Sequence, residues 1–511
     1  MQKKHLLFIS LLAVLSQFTA TAQPQPAKPR TIITTDGEAD DVNSFIRLLL
    51  YSNELDIVGL VYSSSQWHYA GDGNGTAFTS EMPNTAKLYG ERTELRWPGT
   101  TWLQDCIMKY EKVYNNLVKH DKGYPAPDHL MEMIKVGNIE FEGEMSKTTE
   151  GSDFIKKVLL DNNPGPVYLQ IWGGTNTVAR ALKSIEEEYK GKPEWPEIAK
   201  KVSGKAVLYT ILDQDATYRK YIAPNWPQIK VMYNTTQFGS LAYGWPKTVP
   251  AELQASLSGK WFAENIKFKH GPLLEGYYLW GDGEQVLNDQ EHTQGSMEEA
   301  EKAGRSQYDF LSEGDSPAFL SLLDVGLRSL ENPAFGGWGG RLLRSPKNKF
   351  RWEDGKAVAD LNPYTKQEDT AYPQTRWINA IQNDFAARAD WCVQDYKEAN
   401  HPPVVTLTHE PDVLVKPGGR VNLSASATDP DGDALTYRWW QYEEVDGYEK
   451  KIRIVNADKP KAYFYLPEDA PLWQTIHIIL EVTDSRTPAL TRYQRVVAKI
   501  VKELPKPVAA R

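Results

Sequence analysis

The sequence predicts an α/β domain, a mostly parallel sheet with helices on both faces, followed by a smaller all-β sandwich. Three observations predict it. From residue 30 to about 400, short β-branched runs alternate with stretches of helical apolar spacing. At His401-Pro402-Pro403 the texture changes to short strand-like runs separated by turn residues. At 511 residues the chain also exceeds one ordinary domain, which runs to roughly 100–200 residues.

The elements follow in order. Lys3, Lys4 and His5 precede a short apolar run, and Ala20-Thr21-Ala22 is a small-x-small cleavage pattern. Residues 1–22 therefore read as a secretory leader, with Gln23 opening the mature chain. The run is shorter than the roughly 20 residues a spanning helix needs. No Cys follows it, so a lipid anchor is not expected, and the mature protein is placed in the periplasm or outside the cell. Residues 23–29 form a Pro-rich linker. Residues 31–35 read as a strand. Residues 40–51 read as a helix, with Val42, Phe45, Ile46, Leu49 and Leu50 on one face, and 56–62 as the next strand. Parallel strands need such a crossover helix. Further strands are expected at 167–172, 206–212 and 229–233, with helices from about 177, over 316–330, and along the stripe Trp377, Ile381, Phe385 and Ala389. This domain spans 30–400. Beyond it, runs at 404–405, 413–415, 421–425, 434–439 and 476–482 predict an immunoglobulin-like sandwich over 401–511.

Composition narrows the function. A net charge of −9 argues against a nucleic-acid partner, because phosphate contacts need clustered Lys and Arg. No stretch after the leader reads as a membrane span. The 16 Trp and 26 Tyr either fill cores or stack on sugar rings. Cys106 and Cys392 either pair in an oxidising compartment or stay as buried thiols.

The chemistry concentrates in Thr34-Thr35-Asp36-Gly37-Glu38-Ala39-Asp40-Asp41, at the turn between the first strand and the first helix. Ligands of open α/β sheets bind at the carboxyl ends of the strands, where this turn lies. Asp36, Asp40 and Asp41 repel one another there, and a bound hard cation, calcium or magnesium, removes that penalty. The plainer alternative is that Asp40 and Asp41 only favour a helix N-terminus; Asp36 before Gly37 has no such duty.

This strand, Asp-Gly-x-x-Asp-Asp, helix pattern resembles the N-terminal signature of nucleoside hydrolases. More of the chain resembles the bacterial cellulose-binding family that joins a nucleoside hydrolase-like domain to a C-terminal sandwich. The runs that carry it are 32–44, Trp172-Gly173-Gly174-Thr175-Asn176, Asp213-Gln214-Asp215-Ala216, Gly314-Asp315-Ser316-Pro317, 336–341 and 382–388. The resemblance implies one Ca2+ held by Asp36, Asp41, the Thr175 carbonyl and Asp315. It implies Asp36 as the base on a water, Asp40 on a sugar hydroxyl, and Asn176 beside the substrate. The implied reaction is hydrolysis of an N- or O-glycosidic bond. The chain departs from the pattern at Thr34, where the family has another Asp, and at Gly314, where it often has a proton-donating His, with Glu313 one step back. Ser63, Ser64 and Ser65 stand in the region of the ribose-binding Asn. The metal end is retained and the leaving-group end is not, so a glycoside other than a nucleoside is an equal candidate.

Trp67 and His68 follow the second strand, where a substrate loop would lie, and either stack on a sugar or pack a corner. Asp213 and Asp215 either line the same rim or form a solvated turn. Trp338 and Arg341 sit in a Gly-rich loop expected near the pocket; without a following Lys-Ser or Lys-Thr it is no P-loop. Asp429, Asp431 and Asp433 form a second acidic turn, read as a plain turn because the downstream Glu of an EF-hand is missing. Trp439 and Trp440 alternate, so at most one faces the sandwich core. The readings that remain are a calcium-dependent hydrolase of an extracellular sugar compound, a non-catalytic cellulose- or polysaccharide-binding protein on the same fold, and an adhesion protein acting through its sandwich. A homo-oligomer is left open.

Overall fold

The computed structural model describes residues 27–504, so the expected leader and most of the linker lie outside the described residues. The first strand, β1 (Arg30–Thr35), runs through the turn into α1 (Ala39–Tyr51) and back up β2 (Asp56–Tyr62). Then follow α2 (Trp102–His120), β3 (Ile134–Val136), α3 (Glu150–Leu160), β4 (Val167–Ile171), α4 (Asn176–Tyr189), β5 (Ala206–Ile211) and β6 (Lys230–Asn234). A long stretch of short helices leads to α5 (Ser316–Leu320), β7 (Leu343–Arg344), β8 (Arg351–Glu353) and α6 (Ile378–Trp391). The eight strands lie in the order β3-β2-β1-β4-β5-β6-β8-β7. All are parallel except β7, which runs against β8.

Adjacent residues of the strands feed different cores. Ile33, Leu60, Tyr62 and Tyr209 join the cluster on one face; Ile32, Val61, Leu169 and Leu208 join the cluster on the other. A sheet buried on both faces needs apolar residues at successive positions, so the strands read as continuous runs. The helix expected over 316–330 stops at Leu320. Beyond it the chain turns to the sandwich: the Tyr493 amide donates to Val325 O at 2.9 Å, and Gly326 lies against the Tyr493 carbonyl. A tertiary contact replaces the later helical turns. Cys106 and Cys392 are buried and free. Among the described residues no helix is long and apolar enough to cross a membrane.

The C-terminal domain pairs two sheets. One is β9 (Val404–Leu407), β11 (Arg420–Thr428) and β13 (Lys461–Tyr465). The other is β10 (Asp412–Val415), β15 (Thr491–Ile500), β14 (Thr475–Thr483) and β12 (Thr436–Gln441), in that order. Trp439 lies in the core between them. Trp440 faces the other way, 6.1 Å from Trp377 of the larger domain. The sequence reading missed β13 and β15. β15 carries polar residues on its buried face because that face meets the larger domain. There Arg495 donates to Leu327 O at 2.8 Å and Phe335 O at 2.7 Å.

Candidate active site

Four carboxylates meet at the carboxyl ends of the central strands. Asp36 follows β1, Asp40 and Asp41 open α1, and Asp315 precedes α5. They line a cavity of about 270 Å³ with Glu38, Trp67, Tyr89, Arg96, Trp172, Leu212, Gln214, Phe238 and Tyr243. Two of the larger grooves, of about 580 and 690 Å³, lie at the amino ends of β1, β2 and β4 and along the domain junction. Their position is the wrong end of a parallel sheet for a ligand site.

Small residues admit the carboxylates. A Cβ on Gly173 would stand 2.9 Å from Cβ and Cγ of Asp36, and one on Gly314 would stand 2.7 Å from Asp40 Oδ2. A side chain at 314 would therefore displace the Asp40 carboxylate. Glu313 is no substitute: it is fully buried, ion-paired to Arg47 at 2.6 Å and bonded to Tyr277 and Ser316.

One ligand atom from each of Asp40, Asp41 and Asp315 fits within 4.8 Å of the other two. Burial pushes all three carboxyls well above their ordinary value, and their mutual charge, with that of Asp36, adds to the shift. Among the described residues no Lys or Arg forms an ion pair with any of the four. Asp41 accepts a bond from Thr35, and Asp40 one from Ser312 at 3.3 Å. Asp36 Oδ2 is buried without a hydrogen-bond partner. This all-oxygen set, closely spaced and short of positive charge, fits a hard divalent cation.

Asp36 differs from its neighbours. Burial alone would raise its carboxyl, but His68, with smaller help from Asp41 and Ser65, brings it below its ordinary value. His68 lies between two carboxylates, with Nδ1 3.5 Å from Asp36 and Nε2 3.7 Å from Asp289, which are ion-pair rather than hydrogen-bond distances. Burial would lower the imidazolium, yet Asp289 and Asp36 together lift it to about 9. Arg96 grips Asp289 with three contacts of 2.8–3.1 Å. The resulting chain runs Asp36, His68, Asp289, Arg96; its two ends line the cavity and its middle lies behind the wall.

The expected residues divide into three groups. Asp36, Asp40, Asp41, Asp315 and Trp67 line the cavity, and His68 stands directly behind it. Thr175, Asn176, Asp213 and Asp215 lie beneath and do not line it. The Thr175 carbonyl accepts the Ala179 amide at 2.8 Å as the first bond of α4, and Asn176 is tied to Ser63 and Ser64. Asp215 accepts from the Asn176 amide at 2.7 Å, and Asp213 pairs with Arg219 at 2.9 Å. Between these two aspartates, Gln214 faces the cavity instead. It is aimed by Leu212, at φ 65°, and by bonds to the Trp172 and Ile211 carbonyls. Trp338 and Arg341 correct the expectation for the Gly-rich loop. Both are buried away from the cavity, Trp338 in the core and Arg341 against Asp360, because this loop meets the sandwich. The sequence reading missed Glu38, which stands in the acidic turn itself. It also missed Tyr89, Arg96, Tyr243 and Asp289, which no local pattern marks. Two carboxylates of the second acidic turn have partners within the chain: Asp431 meets His401 at 3.0 Å and Asp433 pairs with Arg486 at 3.0 Å.

Residues 30–342 match the family described as cellulose-binding Sde182, nucleoside hydrolase-like domain. Residues 420–500 match the family described as cellulose-binding protein Sde0182, C-terminal domain. A solved nucleoside hydrolase-related protein from Saccharophagus degradans, described as associated with carbohydrate metabolism, is 24% identical. The alignment covers 93% of this chain and 100% of that one with a TM-score of 0.68. A solved effector protein, XOO4466, is 12% identical over 72% of this chain and 95% of that one, with a TM-score of 0.36. No curated protein matches the sequence.

Proposed function

We propose that this chain, which belongs to the cellulose-binding Sde182 family with its nucleoside hydrolase-like domain, is an exported, calcium-dependent hydrolase of a glycosidic bond in an extracellular sugar compound. The observation that carries this reading is the convergence of four carboxylates, three of them buried, on one cavity with no Lys or Arg ion-paired to them among the described residues. Asp40, Asp41 and Asp315 are the residues that would hold the ion, with Asp36 at its edge. Asp40 enters this set because its carboxylate converges with the other two, while the Thr175 carbonyl is engaged within its helix. When bound, calcium would offset the carboxylate charge and make a nearby water easier to deprotonate.

Asp36 supplies the base. It is held ionised by His68, faces the cavity, and is positioned by the chain that ends in Arg96. It takes a proton from water as the water attacks the anomeric carbon, while the glycosidic bond breaks and the leaving group departs with its electron pair and takes a proton from solvent. Trp67 and Tyr89, edge to face at 6.3 Å, offer an aromatic rim for a sugar ring. The leader pattern in residues 1–22 supports export.

The test is calcium titration by calorimetry on the full mature chain and on Asp315→Asn and Asp36→Asn. A panel of aryl glycosides and nucleosides is assayed for turnover alongside. The expected result is a saturable site lost in Asp315→Asn, and turnover lost in Asp36→Asn with ion binding kept. Calcium binding unchanged by Asp315→Asn, or turnover unchanged by Asp36→Asn, overturns the reading. A second reading, carbohydrate binding without catalysis, is favoured by the cellulose-binding description attached to both matched regions. The two part at Asp36→Asn, which removes turnover under the first reading and leaves binding unchanged under the second, while binding through the sandwich is common to both.

A further inference from the structure

Trp473 is 66% exposed, the most exposed of the large aromatic side chains on the described surface. It stands just before β14, and its backbone is left-handed, at φ 72°. Two hydrogen bonds fix it there: its amide donates to Ile500 O at 2.7 Å, and the Ile500 amide donates to Gln474 O at 2.9 Å. The next pair is Thr475 with Lys499. Trp473 and Gln474 thus face the single residue Ile500, which is a β-bulge with its first position left-handed. Glycine is the residue expected at such a position, because a Cβ is disfavoured there.

A tryptophan at this point combines two unfavourable features, a strained backbone and an exposed indole, and neither is offset by packing in the sandwich. Such local conflicts mark functional positions. The surroundings add polar reach. Leu414, Lys499 and Thr475 form one row across three strands by register, and so share a face. The Lys499 ammonium lies 5.9 Å from the Trp473 ring centroid, which places the indole on that same face. A flat ring with an ammonium beside it, on a face that also carries a hydroxyl and an aliphatic side chain, suits a pyranose, whose C–H face stacks on the ring while its hydroxyls meet the donors. Tyr463 and Tyr465 on the opposite sheet do not offer this. Their rings meet edge to face at 5.7 Å, and Arg420 covers Tyr463 at 3.9 Å.

We propose that Trp473, with Lys499 and Thr475 beside it, is the contact by which the sandwich holds a β-glucan chain. The inference rests on the polysaccharide-binding reading above and gives that reading a residue. The test is depletion of the full mature chain from solution by microcrystalline cellulose, comparing wild type, Trp473→Ala and Trp473→Gly. Glycine suits the left-handed position, so Trp473→Gly is expected to keep or raise the melting temperature. Both variants are expected to lose partitioning onto cellulose by about tenfold or more, as for an aromatic anchor. A purely structural tryptophan would instead lose stability on replacement. Wild type and Trp473→Gly partitioning equally overturns the inference and leaves the binding reading standing. No retention of wild type on cellulose removes both.

Discussion

Asp360 and Asp384 at the domain junction are as deeply buried as Asp41 and Asp315 at the cavity, but the two pairs are treated in opposite ways. Asp360 meets Arg341, Arg376 and the Tyr442 hydroxyl. Asp384 meets Arg388 at 2.9 Å and Arg492, from the sandwich, at 2.7 Å. Burial alone would raise the Asp384 carboxyl, yet Arg492 and Arg388 reverse this and bring it to about 2. Asp41 and Asp315 have no such partner and are pushed up by burial and by the charge of the neighbouring carboxylates, Asp36 and Asp40 among them. Matched buried charge fastens two domains together. Unmatched buried charge costs stability and is kept where something outside the chain completes it.

The strongest way to break this comparison is at the junction. Asp384→Asn leaves the half-buried Arg492 without its carboxylate and the buried Arg388 with Glu54 alone. It is expected to cost about 3–5 kcal/mol of stability, read as a lower urea midpoint. Loss of under about 1 kcal/mol would show that the junction does not depend on that pair. The next effect concerns the cavity. Calcium at a hundred times its dissociation constant is expected to stabilise the wild type by about 2.7 kcal/mol, and Asp315→Asn is expected to lose that gain. In chelator the same substitution should raise the melting temperature, because it removes one of several repelling charges; a rise of about 1 kcal/mol in stability is the expected scale. A fall in chelator would mean that Asp315 is already compensated within the chain.

The smallest effect is on pH, and its sign differs between the two regions. Asp384 has a folded value below its ordinary 3.8, so its stabilisation is present above that value and is lost only as pH falls from about 4 toward 2. Asp41 and Asp315 are raised, so their cost is absent below 3.8 and grows as pH climbs through their folded values. Thermal melts in chelator should therefore improve from pH 7.5 to 5, and the shift caused by calcium should shrink over the same interval. An equal calcium shift at both pH values would separate the ion from these carboxylates.

Much of this protein was open to reading in one dimension. The βα alternation, the position of the acidic turn and the change of texture at His401 all depend on spacing and local propensity, which are written along the chain. So does the cluster Asp36, Asp40 and Asp41, because six consecutive positions at a strand-to-helix turn cannot separate far in space. Asp315 was reached through resemblance, since nothing local ties it to residues about 280 positions earlier. The remainder was decided by the tertiary fold. Arg96 and Asp289 meet across 193 positions to fix His68. Tyr493 ends the helix at Leu320 early, and the Gly-rich loop with Trp338 and Arg341 became a domain joint rather than a pocket wall. The physical reason is common to all three: whether a buried charge, an arginine or a glycine loop binds a ligand or fastens the fold depends on which partner neutralises it. That partner is chosen by packing between segments whose separation in sequence carries no signal.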